Sequence, residues 1–116
     1  MQNLRQFIFD KLEEKLRKCS QKIAIESMDG SLTYQEVSQI VKIRANYFLQ
    51  ELGNGNLPVG IRLKDKKEIL LTMLALIKAG KTILPLPYEI PEDKVSVIVA
   101  NICPQAIISE QELAMN

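Results

Sequence analysis

The sequence predicts an α/β fold: an N-terminal helix and a small β-hairpin, then strands and helices that alternate into a partial parallel sheet. Three observations predict it. Hydrophobic spacing switches between helical and extended periods along the chain. Ser/Thr/Asp-x-x-Glu capping signatures mark helix starts. In the second half, short apolar strands are separated by helices of 11 to 14 residues, the signature of parallel strands with helical crossovers.

Leu4, Ile8, Leu12, Leu16 and Cys19 recur at three and four residues, with Lys11, Glu14, Lys15 and Lys18 on the other face, so a helix is expected over residues 3–18. Lys22 to Ser27 reads as a strand, and Ser31 to Thr33 as its hairpin partner. Asp29-Gly30 is the expected turn, because both residues tolerate positive φ. Thr33-Tyr34-Gln35-Glu36 forms a capping box, and Val37, Ile40, Val41, Ala45, Phe48 and Leu52 then give one apolar stripe. Gly53 and Gly55 are expected to end that helix.

Val59 to Leu63 reads as a strand. Asp65 is the expected N-cap of the next helix, with Glu68 three residues on repeating the cap pattern. Residues 66–79 are apolar on nearly every side, which predicts burial between layers. Gly80 stops the helix. Thr82 to Leu86 follows as a strand, and Pro85 and Pro87 predict that it ends or lies at an edge. Pro91 and the acids Glu92 and Asp93 suit a first helical turn. The β-branched run Val95 to Val99 favours a strand locally, yet a helix over 92–102 is expected, stopped by Pro104. Ala106 to Ser109 reads as the last strand, and Ser109-Glu110-Gln111-Glu112 announces a third capping box.

Composition excludes several chemistries. The 116 residues are 47% hydrophobic and 25% charged, which suits one small globular unit. With Lys+Arg at 15 and Asp+Glu at 14, bulk charge does not support nucleic-acid binding. The chain has no His, so no Ser-His-Asp or Cys-His catalytic unit exists within it. A His-containing zinc site is excluded, and two Cys cannot make a four-Cys site. Cys19 and Cys103 read as reduced, semi-buried thiols of a cytoplasmic protein. Arg5, Asp10 and Lys11 interrupt any signal-peptide core, and the apolar stretch from Ile69 to Ile77 is too short to span a bilayer. No membrane or nucleic-acid partner is therefore expected. Residues 1–88 carry a net charge of +5 and residues 89–116 a net charge of −4, read as solvated surfaces or as a docking face.

Two segments carry a resemblance. Leu32-Thr33-Tyr34-Gln35-Glu36-Val37 resembles the first core motif of amino-acid adenylation domains of nonribosomal peptide synthetases. Leu76 to Leu86, with Lys78-Ala79-Gly80 and Leu84-Pro85-Leu86, resembles the second. Lys22 to Ile25, Val59 to Leu63, Pro91 to Val95 and Ala106 to Ile108 fall where that adenylate-forming, AMP-binding, acyl-CoA synthetase-like family has its neighbouring segments. The resemblance covers residues 4–113 and supports the helix over 92–102. Three positions depart from the pattern. Pro87 stands where an acidic residue is usual, Thr82-Ile83 where an aromatic is usual, and Lys94 where Arg is usual. The family's turn contacts near residue 87 are therefore not carried over.

The resemblance implies an ATP- and Mg²⁺-dependent ligase that makes an acyl-adenylate and passes the acyl group to a carrier thiol. It also implies that residues 1–116 are a single truncated N-terminal subdomain, since the phosphate loop, metal ligand, nucleotide contacts, amino-acid pocket and C-terminal lysine of the family have no counterpart here. No catalytic, cofactor-binding or metal-binding residue is assigned, and no cofactor is expected for this chain alone. The expected partners are a complementary adenylation-domain fragment, a peptide-synthetase or carrier protein, or a second copy through an open face.

Three weaker candidates have plainer readings. Lys78 as a phosphate contact yields to a cation covering its helix C-terminus. Tyr34 and Tyr88 as adenine-stacking residues yield to core or boundary packing. Glu13–Glu14 and Glu92–Asp93 read as solvated helix faces rather than acid–base pairs. The alternative to a scaffold piece is a stand-alone interaction or regulatory module docking to peptide-synthetase components.

Overall fold

The computed structural model describes residues 4–111. Its elements are α1 (Leu4–Cys19), β1 (Ile23–Ser27), β2 (Gly30–Thr33), α2 (Tyr34–Leu52), β3 (Pro58–Ile61), α3 (Lys66–Lys78), β4 (Thr82–Pro85), α4 (Glu92–Ile102) and β5 (Ala106–Ile108). β1 and β2 form an antiparallel hairpin, and a separate parallel sheet has the order β4-β3-β5.

The local signals place most boundaries. The Thr33 hydroxyl accepts from the Glu36 amide at 3.2 Å, and the Glu36 carboxylate accepts from the Thr33 amide at 2.8 Å, closing the capping box. Gly53 at φ 77° and Gly80 at φ 80° end α2 and α3 in the left-handed region that glycine adopts cheaply. β4 is an edge strand, as its prolines predict. α4 forms despite its β-branched run, with Val95 buried and Ile98 and Val99 half-buried three and four residues on.

The connection β3–α3–β4 steps one way across the sheet, and β4–α4–β5 steps back past β3. Such crossovers are right-handed as a rule, which assigns α3 and α4 to opposite faces. α3 packs on β3 and β4, and α2 packs along α3. Phe48, Leu71, Leu76, Val41 and Val59 are the fully buried centre of this packing. Each such side chain contributes about 1.5–3 kcal/mol by leaving water. Gly60 in the central strand is needed for closeness: a Cβ there would lie 3.0 Å from Leu86 Cδ1 and 3.2 Å from Ile107 Cγ1.

Four expectations change. The hairpin turn is Met28-Asp29; Gly30 already belongs to β2 and alone takes positive φ, at 138°. Gly55 does not adopt positive φ, so Gly53 stops α2 by itself. α3 is not buried all round: Leu71, Thr72, Ala75 and Leu76 are buried, but Leu70 is 43% exposed, because neighbours cover one side of the helix only. Glu68 does not complete a second capping box. Asp65 accepts from the Lys67 amide at 2.9 Å, while Glu68 meets Arg44 of α2 at 2.7 Å. The competing cation across the α2–α3 contact wins over the local backbone amide. The capping box at Ser109–Glu112 extends beyond the described residues.

Candidate functional site

In open parallel sheets, ligands bind outside the carboxyl ends of the strands. Here that end is built by residues leaving β3 and β4. Arg62 directly follows β3, and its side chain is only 13% exposed. Its guanidinium donates to the Pro87 carbonyl at 2.8 Å and the Ile90 carbonyl at 2.9 Å, and lies 3.4 Å from Glu92 Oε1. Arg62 thus ties down the segment between β4 and α4, where Pro87 departs from the family pattern. Tyr88 of that segment has Arg62 Cζ 5.4 Å and Lys64 Nζ 4.5 Å from its ring centroid. Both are within the range of cation–π attraction.

The Lys64 amide donates to Glu110 Oε1 at 2.9 Å, joining the exit of β3 to the residues after β5. That bond is the largest cause holding the Glu110 carboxyl below its ordinary value. A shallow groove of about 200 Å³ opens beside Tyr88, floored by Ile69, Met73 and Ile83.

The sequence candidates do not converge. Tyr88 is 46% exposed and held by cations, so it packs at the boundary and not in the core. Tyr34 is half-buried in the first turn of α2, and its amide donates to the Lys22 carbonyl at 3.0 Å. Lys78, in the last turn of α3, sits 5.0 Å from the Phe9 ring centroid and packs against α1. Glu14 pairs with Lys18 at 3.3 Å and Lys11 at 4.0 Å, and Glu92 with Arg62. Cys103 is exposed and Cys19 half-buried, both as free thiols, so the expectation of two semi-buried thiols holds for Cys19 alone. Cys103 is turned outward because the chain reverses at the end of α4.

The carboxyl groups with shifted acidity, Glu14, Asp29 and Glu110, are all lowered. Lys18 is the first cause at Glu14 and Ser27 at Asp29, with Lys67 also lowering Asp29. A general acid at neutral pH needs the opposite shift. Among the described residues no group of three or more His, Cys, Asp or Glu is placed to hold a metal ion. No described helix is long and apolar enough to cross a membrane. Sequence reasoning missed Arg62 and Lys81. Arg62 within an apolar strand segment, and Lys81 between the Gly80 stop and the next strand, were the available signals.

The remaining feature is open apolar surface. A groove of about 340 Å³ lies between α2 and the outer side of β5, lined by Tyr47, Phe48, Leu52 and Ile107 among others. On the opposite face, Val97 of α4 is 60% exposed and borders a wider apolar depression with Ile90 and Ile98.

Comparison with known proteins identifies this arrangement. The AMP-binding enzyme family matches residues 12–116. Nonribosomal peptide synthetase 7 of Gibberella zeae is 35% identical over 108 residues, covering 92% of this chain and 2% of that protein. Phosphinothricin tripeptide synthetase PhsC of Streptomyces viridochromogenes is 27% identical over 103 residues, covering 89% of this chain and 10% of that protein. The solved N-terminal subdomain of Klebsiella oxytoca NpsA superposes with a TM-score of 0.81 at 19% identity, covering 95% of this chain and 28% of that one. An artificially fused NpsA-ThdA adenylation–PCP di-domain superposes with a TM-score of 0.80 at 21% identity, covering 87% of this chain and 19% of that one. The chain therefore spans a small part of the proteins it matches.

Proposed function

Because the chain belongs to the AMP-binding enzyme family and corresponds to the N-terminal portion of a nonribosomal peptide synthetase adenylation domain, we propose that it acts as scaffold for amino-acid activation and contributes no reacting group. The observation that carries this reading is the carboxyl end of the β4-β3-β5 sheet. There the polar side chains are spent on the fold: Arg62 on loop carbonyls, Glu110 on the Lys64 amide. Its role is to present the central strands and helices on which the rest of the domain is built.

ATP and Mg²⁺ belong to the completed domain, where they supply the adenylate chemistry; this chain's residues supply the supporting sheet. Residues 1–116 form one structural unit of that domain, working in the cytoplasm, with a carrier protein as the acceptor served by the whole. The test is amino-acid-dependent ATP–pyrophosphate exchange. The chain alone is expected to give none with any of the standard amino acids. Co-expression with the following segment of the Gibberella zeae relative's adenylation domain is expected to yield a co-purifying, exchanging pair. Exchange by the chain alone overturns the reading.

A stand-alone docking module is the second reading. The uneven charge favours it, with residues 1–88 at +5 and residues 89–116 at −4. A stable monomer that binds a carrier or condensation domain but no adenylation-domain segment would establish it.

A further inference from the structure

Two surfaces on opposite sides of the molecule carry opposite charge. The first is a groove of about 190 Å³ where α1 lies against α2 and the end of α3. Phe9, Leu12 and Leu16 of α1 and Val41 of α2 form its apolar lining. Arg17, Lys42 and Lys78 stand around it with the carboxylate of Glu13. The second surface is the outer ridge of α4. Asp93, Val97 and Ala100 are spaced four and three residues apart, so they line one side of the helix, and all three are exposed. Val97 is 60% exposed and borders the apolar depression with Ile90 and Ile98. Glu89, just ahead of the helix, adds a second exposed carboxylate to that end of the ridge. Lys42, Glu89 and Asp93 enter none of the ion pairs among the described residues.

The crossover rule assigns α3 and α4 to opposite faces of the sheet, and α1 packs on the α2–α3 side. One chain therefore cannot bring its own ridge to its own groove, whereas a second copy can. We propose that α4 of one copy seats in the α1–α2–α3 groove of another, with Val97 entering the apolar lining and Asp93 and Glu89 facing Lys42 and Arg17. Charge complementarity selects this occupant. Residues 1–88 carry a net charge of +5 and residues 89–116 a net charge of −4, so the chain supplies both halves of the contact. A helix ridge laid in an apolar groove is a recurrent recognition mode, and flanking charges fix its direction. The contact is head-to-tail. A pair still leaves one ridge and one groove unused, so further copies add in a row or close a ring. This association goes beyond the scaffold role and does not depend on it.

The test is sedimentation velocity of the full chain over a range of concentrations. The mass is expected to rise with concentration past that of a dimer. Association is expected to weaken about tenfold when NaCl is raised from about 0.05 M to about 0.5 M. Lys42→Glu and Asp93→Lys, each checked for fold by circular dichroism, are each expected to weaken self-association about tenfold. Mixing the two variants sets the altered groove of one against the altered ridge of the other, and the unaltered surfaces against each other. Association is then expected to return to within about twofold of the unaltered chain. Should either variant fail to fold, Arg17→Glu replaces the first and Glu89→Lys the second.

A chain that stays monomeric at every concentration overturns the proposal. So does a dimer that grows no further, which marks a two-fold contact instead. Association that neither variant weakens, or that mixing does not restore, runs through another surface and also overturns it. None of these results alters the pyrophosphate-exchange test of the proposed function, so the two fail separately.

Discussion

The ammonium of Lys81 lies 2.6 Å from the carbonyl oxygen of Gly53, the residue that ends α2. It also donates to the Gly55 carbonyl at 2.5 Å, and Lys81 is only 6% exposed. A positive charge at a helix C-terminus is favourable, and here it fastens the α2–β3 loop to the start of β4. Lys81→Met keeps the stem and removes both bonds. It is expected to cost about 2 kcal/mol, read as a lower Cm in urea with an unchanged slope.

Arg62 makes a different clamp, across the carboxyl end of the sheet. Arg62→Ala is expected to cost about 1–3 kcal/mol, because charged donors to two carbonyls are lost. Hydrogen exchange of the Tyr88, Glu89 and Ile90 amides should accelerate before the rest of the chain opens. Arg62→Lys should recover little, since one ammonium does not reproduce a planar fork reaching two acceptors. Glu92→Gln is expected to leave stability unchanged, because Glu92 is 87% exposed in this pair.

Cys103 adopts φ 54° and ψ 60° where α4 ends, and its amide donates to the Val99 carbonyl at 2.8 Å. A side chain in this left-handed conformation costs about 1–2 kcal/mol relative to glycine. Glycine is more flexible when unfolded, which offsets part of that gain. Cys103→Gly is expected to stabilise by about 0.5–1 kcal/mol, measured as a raised thermal midpoint.

Acid should weaken the fold. Asp29 is lowered first by Ser27, whose hydroxyl donates at 3.0 Å, and also by Lys67 of α3 at 3.3 Å. A carboxyl lowered on folding stabilises above its unfolded value and loses that contribution as pH falls through the folded value. Glu14 and Glu110 act with the same sign. Urea midpoints should be level near neutrality and fall below about pH 4.5, and Asp29→Asn should flatten that fall.

The parts of the fold legible from sequence are those set by neighbours along the chain. Thr33 and Glu36 are three residues apart and close their box as read. Gly80 stops α3, and Pro85 marks an edge strand. What sequence did not show depends on groups brought together from afar. Arg62 reaches carbonyls 25 and 28 residues away, and Lys81 reaches Gly53 across 28 residues. Glu68 fitted a local cap until Arg44 arrived from α2. The exposure of Leu70 depends on which neighbours are present, which helical periodicity alone does not specify.

On the proposed function, these residues support amino-acid activation without choosing or reacting with the substrate. The most direct measurement replaces the matching segment of the Gibberella zeae relative's adenylation domain with residues 12–116 and records pyrophosphate exchange across the amino acids. Exchange is expected with the relative's own amino-acid preference retained. A folded chimera that changes its preferred amino acid, or a chain that catalyses exchange unaided, would contradict it.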